Sequence, residues 1–221
     1  ATAGDILDRM EQVEGWFRRE EGELLLGTAR HAIAGRAAPA IVEVGSYCGK
    51  STIVLAAAVR AVNPSARVYA IDPHEGEVGA RDTLDGVRSE APTFERFRAN
   101  VAAAGVDDVI HAIRRRSYDV PWQSPIALLF VDGLHDYENV SRDFRHFEPC
   151  LSVGAYVAFH DCDDNYPGVQ ALVAGLAGDG SYEEVGRAAS LVVFRRLTAP
   201  TVNRGSPRDE QMSALQVRVA Q

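Results

Sequence analysis

Basic charge is what this chain most lacks. Its 23 lysine and arginine side chains face 31 acidic ones, giving a formal net charge of −8 and a pI near 5.3. A nucleic-acid-binding surface leaves a basic footprint, so the expected partner is a small molecule and not DNA or RNA. Long apolar runs are missing too. None approaches the roughly 18 residues of a membrane-spanning helix, and no apolar leader opens the chain, so no membrane association is expected. Only three cysteines occur, Cys48, Cys150 and Cys162. They are odd in number and lack paired-ligand spacing, which argues against a disulfide scaffold or zinc ribbon and fits a reducing, cytoplasmic setting. What remains is 221 residues at 46% apolar content, enough for one sizeable core. This composition is also compatible with a homo-oligomer.

The most informative segment is Ile41-Val42-Glu43-Val44-Gly45-Ser46-Tyr47-Cys48-Gly49-Lys50-Ser51-Thr52, read with Val68-Tyr69-Ala70-Ile71-Asp72 downstream. An apolar run ends in a glycine turn, an amphipathic stretch follows, and a second apolar run ends in an acid. That order describes a βαβ unit holding an adenosine-containing ligand, with Asp72 placed to accept both ribose hydroxyls. Two phosphate-binding alternatives fit less well. A Walker A loop needs four residues between its glycines and Gly45 and Gly49 enclose three, while the dinucleotide fingerprint G-x-G-x-x-G is absent. Glu43 points away from phosphate as well, because a carboxylate at the strand end repels an anion and suits a ligand carrying ammonium and sulfonium groups. Glu43, Gly45, Ser46, Gly49, Ser51, Asp72 and His74 are therefore the candidate cofactor-binding residues of this half. Together they resemble the class I S-adenosylmethionine-dependent methyltransferases.

Short β-like runs at 40–44, 67–71, 109–113, 126–131, 153–159 and 189–196 alternate with helical patterns at 51–62, 93–104, 137–149 and 167–177. Such alternation predicts an α/β fold, a doubly wound and mostly parallel sheet. A terminal antiparallel hairpin is expected where residues 181–185 meet 190–195 across a turn. The resemblance implies a seven-stranded Rossmann-like sheet. Residues 1–37 read as N-terminal helices covering the active site, 38–197 as the cofactor-binding core, and 198–221 as a polar tail. The glycines and charges of 75–92 suggest a mobile lid.

A second constellation lies at Leu128-Leu129-Phe130-Val131-Asp132-Gly133-Leu134-His135 and Ala155-Tyr156-Val157-Ala158-Phe159-His160-Asp161. Two buried strands deliver polar residues to their carboxyl ends, where open α/β sheets bind ligands. Asp132, His160 and Asp161 then converge beside the adenosine site as candidate metal ligands. Asp132 also borders the cofactor, and His135 and His160 are the candidate catalytic residues. Neighbouring carboxylates must share a proton, pair with a cation or bind a metal. Oxygen ligands favour Mg²⁺, and an imidazole makes Mn²⁺, Fe²⁺ or Zn²⁺ acceptable. Asp163 and Asp164 are alternative ligands, better read as loop charges.

Asp132-x-x-His135 followed by a ligand pair on the next strand resembles the metal-dependent O-methyltransferases that tailor macrolide sugars, and the cephalosporin hydroxylase-like proteins of the same superfamily. The resemblance implies that the first acid and the strand-end pair bind a metal, Mg²⁺ or Mn²⁺ foremost, and that the histidine of D-x-x-H is the general base. It also implies that Ser117 contacts the adenine. His160 departs from the pattern, since those relatives carry a second carboxylate there. The expected activity is S-adenosylmethionine-dependent, metal-assisted O-methylation of a small molecule, a bacterial natural product or its sugar. The alternative is oxidation or hydroxylation on the same fold. Methyl transfer from sulfonium is an in-line displacement, so positioning dominates. Coordination to a cation and a nearby histidine make a hydroxyl nucleophilic.

Overall fold

The structure, a computed structural model, describes residues 2–79 and 87–199. Two helices, α1 (Ala3–Glu11) and α2 (Arg19–Ile33), precede β1 (Ala40–Val44), α3 (Lys50–Val62) and β2 (Arg67–Ile71). A small hairpin of β3 (Glu77–Gly79) and β4 (Val87–Ser89) comes next, then α4 (Phe94–Ala104), β5 (Ile110–Ile113) and β6 (Ile126–Val131). The chain continues through α5 (Tyr137–Phe147), β7 (Leu151–Phe159), α6 (Pro167–Gly178), β8 (Tyr182–Ala188) and β9 (Leu191–Arg196).

Seven of these strands form one sheet in the order β5-β2-β1-β6-β7-β9-β8. The first five run parallel, β9 is antiparallel to β7, and β8 is antiparallel to β9. This is the expected doubly wound sheet with its terminal hairpin. Helices cover both faces, so every residue of β1 and β6 is buried, and strands sealed on both sides read as unbroken apolar runs. One core layer joins α1 to α4 to the sheet and the other joins α5 and α6. In α5, Val140, Phe144 and Phe147 recur at helical spacing and face the sheet.

Three local expectations are corrected. α5 stops at Phe147 because Pro149 has no backbone N–H to continue the helical ladder, and a single tight turn over Glu148–Cys150 leads into β7 at residue 151. β8 reaches Ala188, with a register shift between Glu184 and Gly186. The segment 75–92 is not wholly loop, since it carries the β3–β4 hairpin. Its residues 80–86 lie outside the described residues, as does the expected tail from residue 200 onward.

Chain order reverses beside β1. One path leads outward through β2 and β5, the other through β6 and β7. Such a switch point leaves a crevice at the carboxyl ends of the strands. The residues after β1, β2, β6 and β7 all meet there.

Candidate active site

These strand ends open into a cleft of about 720 Å³, within the range of small-molecule sites. The loop after β1 forms one wall. Gly45 holds φ at 88°, and a Cβ there would lie 2.0 Å from the carbonyl oxygen of Asp132. Only glycine lets this loop cross the exit of β6 so closely. The next wall is Asp72. Its Oδ2 accepts from the Tyr47 N–H at 2.8 Å and its Oδ1 from the His74 N–H at 2.6 Å. Each carboxylate oxygen keeps acceptor capacity, so the anchored side chain can still take two further hydroxyls. Gly45, Ser46, Ser51, Asp72, Ser117 and Asp132 all line the cleft. Gly49 stands behind them, opening α3 at φ 87°.

Besides Gly49, two expected cofactor residues do not line it. Strand alternation puts Glu43 on the α3 face of β1, where it is fully buried. Ser51 Oγ donates to its Oε1 at 2.6 Å and Thr52 Oγ1 to its Oε2 at 2.5 Å. Glu43 thus ties β1 to the first turn of α3 instead of meeting a ligand ammonium. Burial pushes its pKa up to about 7, against the opposing pull of the Ser51, Thr52 and Ser46 hydroxyls. His74 is also buried. It sits at φ 57° after Pro73, with Nδ1 2.8 Å from Thr93 Oγ1 and its ring against Phe94 and Phe97. Ser117 does face the cleft, and its hydroxyl donates to Asp143 Oδ1. Burial raises the Asp143 carboxyl to about 6.

The other half of the cleft gathers acids and imidazoles. Asp161 adopts φ 56°. Consecutive strand residues normally point to opposite faces, and this left-handed step lets His160 and Asp161 aim at the same point. Asp161 Oδ2 lies 3.3 Å from His160 Nδ1 and 2.9 Å from His135 Nε2. Asp132 Oδ1 lies 3.0 Å from His160 Nδ1 and 3.9 Å from His135 Nε2. Asp132, His135 and Asp161 each offer a ligand atom, all within 4.8 Å of one another. Burial opposes charge on both imidazoles, but the carboxylates outweigh it. They hold His135 at about 9 and lift His160 well above its ordinary value, while the two histidines depress Asp161. Asp163 stays apart, accepting the Asn165 N–H in its own loop.

His135 reaches this point because Asp136 caps α5, accepting the Asn139 N–H at 2.9 Å. Its ring packs on Tyr166 and lies so close to Gly79 of β3 that a Cβ there would fall 1.9 Å from Nδ1. Neither ring nitrogen has an aligned hydrogen bond among the described residues. His135 is the cleft-facing imidazole, and His160 is sealed beneath it at 3% exposure.

Sequence reasoning missed Glu21, Gly79 and Asp143. Glu21 is fully buried on α2 and meets His160 Nε2 at 3.2 Å. A signal was present, because Glu21 shares its helix face with Leu25, Thr28 and Ala32, a charge on an otherwise apolar stripe.

Residues 42–162 match the family model described as a methyltransferase domain. The chain belongs to this family. Residues 42–162 form an S-adenosylmethionine-dependent methyltransferase domain. An uncharacterized protein, y4gI, of Sinorhizobium fredii is 29% identical over 123 residues, 56% of this chain but only 13% of that protein's length. Among solved structures, the O-methyltransferase TomG of Streptomyces achromogenes, involved in tomaymycin synthesis and solved with S-adenosylmethionine, is 18% identical. It covers 89% of each chain with a TM-score of 0.58. The O-methyltransferase NovP is 20% identical over 82% of this chain and 81% of its own, with a TM-score of 0.67. At these identities the likeness establishes the methyltransferase fold. No helix among the described residues is long and apolar enough to cross a membrane.

Proposed function

We propose that this methyltransferase acts on a hydroxyl oxygen of a small molecule, of the natural-product or sugar class, with a divalent cation assisting. The observation that carries this reading is the meeting of Asp132, Asp161, His135 and His160 at the ends of β6 and β7, beside the Asp72 wall. The donor set suits a cation. With both imidazoles neutral, Asp132, Asp161 and Glu21 place three negative charges in a buried cluster, which neighbouring carboxylates tolerate only with protons or a cation.

Asp132, Asp161 and His160 are the residues that would hold the ion, and bound there it would lower the pKa of an acceptor hydroxyl. Asp72 and the Gly45 loop position the cofactor, so that the acceptor meets the methyl group in line. His135 takes the hydroxyl proton. Its Nε2 faces the acids and its charge rests on them. Once the charge of Asp132 and Asp161 is engaged elsewhere, that support falls away and the neutral imidazole becomes a base.

One assay set tests this. Calorimetry should find one Mn²⁺ or Mg²⁺ per chain, and chelation should abolish product. His135→Ala should keep the ion while lowering turnover about 10²–10⁴-fold. Asp161→Ala should lose both. Full turnover by metal-free protein in excess chelator would overturn the metal-assisted reading and leave the His135–Asp161 contact of 2.9 Å as an unaided base. An oxidised product instead of a methylated one would overturn the transfer itself.

A further inference from the structure

Glu21 belongs to neither strand end, yet one of its contacts reaches His160 at the end of β7. Oε1 accepts from the Ser190 N–H at 2.9 Å and the Ser190 hydroxyl at 2.8 Å. Oε2 accepts from the Arg18 N–H at 2.7 Å and faces His160 Nε2 at 3.2 Å. Three donors from outside the imidazole hold the carboxylate in place. The helix bearing it is fixed as well, since a Cβ at Gly22 would lie 2.8 Å from Met10 Sδ of α1.

A carboxylate held by N–H and O–H donors can only accept. The His160 nitrogen facing it must therefore carry its proton. Nδ1, 3.0 Å from Asp132 and 3.3 Å from Asp161, is then the nitrogen whose proton a bound cation would displace. Phe17 packs on the ring at 5.2 Å between centroids, which discourages a flip.

We infer that Glu21 is a positioning residue that fixes the tautomer of His160, turning its Nδ1 lone pair into the cation site formed with Asp132 and Asp161. This deepens the proposed function and rests on it. Carboxylates behind ligating histidines orient the ring and raise its basicity, and their loss usually costs 10–100-fold in metal affinity. The chemical consequence is selectivity. Two hard oxygens and one committed imidazole nitrogen favour borderline ions such as Mn²⁺, Co²⁺ or Zn²⁺ over Mg²⁺.

Glu21→Gln tests the inference, because an amide can donate to Nε2 and drive the proton onto Nδ1. In the full chain, Mn²⁺ titration followed by electron paramagnetic resonance should show affinity lower by about 10–100-fold. Affinity for S-adenosylhomocysteine should stay unchanged by calorimetry. In ¹⁵N-labelled protein titrated with diamagnetic Zn²⁺, the His160 resonances should report a retained Nε2–H with a deprotonated Nδ1 in the wild type, and a retained Nδ1–H in the variant. Should circular dichroism show the variant unfolded, Ser190→Ala decides, since it removes one hydroxyl from the carboxylate. Weakened Mn²⁺ binding then supports the inference and unchanged binding overturns it. Equal Mn²⁺ affinity in wild type and a folded Glu21→Gln overturns the role of Glu21 and leaves the metal reading standing. No Mn²⁺ binding by the wild type removes both.

Discussion

Replacing Glu43 by glutamine should stabilise this protein, and by more at alkaline than at acid pH. The side chain is fully buried between β1 and the start of α3, its two oxygens taken by Ser51 and Thr52. In the unfolded chain its carboxyl titrates near 4.5, and in the fold burial raises it to about 7. Between those values the folded state keeps a proton that the unfolded state has released, so stability falls as pH rises through the window. At about 1.36 kcal/mol per pKa unit the full loss is roughly 3 kcal/mol. Integrated over pH, about 1 kcal/mol of it is gone by pH 5.5 and a further ~2 kcal/mol by pH 8.5.

Glutamine keeps the shape and stays neutral throughout. Its fixed offset from wild type comes from exchanging one accepted hydroxyl bond for a donated one. The pH-dependent part belongs to the missing carboxylate alone, because every distant group titrates alike in both proteins and cancels in the difference. Urea unfolding of both proteins, metal-free and followed by circular dichroism at pH 5.5 and 8.5, measures that difference. The advantage of Glu43→Gln should grow by about 2 kcal/mol between the two conditions. A constant difference would mean that the Glu43 carboxyl titrates in the fold as it does in water. The account of its burial would then be wrong.

Two further variants probe the two walls of the cleft. Asp72→Asn retains an acceptor for a backbone N–H but loses the charge, and should weaken S-adenosylhomocysteine binding by roughly 1.5–3 kcal/mol, the range for a charge-assisted hydrogen bond; unchanged affinity by calorimetry would remove Asp72 from the ribose. Gly79→Ala puts a methyl group 1.9 Å from His135 Nδ1. A displaced base of this kind should lower kcat by about 10² at little cost in cofactor affinity, and an unaltered kcat would show that the β3 hairpin does not set the His135 ring.

The sheet was legible because its signals are local and periodic. Buried strands covered on both faces show up as Ile41–Val44 and Leu128–Val131, and the turn residues Gly45 and Asp132-Gly133 punctuate them. The lining of the cleft was legible where polar residues sit at a strand end, as with Asp72, Asp132, His160 and Asp161. What failed was direction. Glu43 and His74 stand beside the cleft in sequence, but strand alternation turns one under α3 and a left-handed step after Pro73 turns the other under α4.

Glu21 was hidden for a different reason. It lies 139 positions from His160 and 169 from Ser190, and no spacing rule joins residues so far apart. Its only local trace is energetic. An ionised carboxylate on a buried helix face costs several kcal/mol unless something compensates it; of the two arginines within one turn, Arg19 pairs with Asp8 and Glu11 while Arg18 gives its backbone N–H. A glutamate on the apolar stripe of Leu25, Thr28 and Ala32 therefore requires a distant cationic or donating partner, even before that partner is known. In a chain with six histidines, the sealed imidazole at the end of β7 is the one that α2 crosses. The same reasoning distinguishes the two buried glutamates. Glu43 finds only hydroxyls and rises to about 7, whereas Glu21 finds an imidazole and stays below its ordinary value despite its burial. A charge kept in a protein interior thus points to its partner, and here the partner lines the cleft.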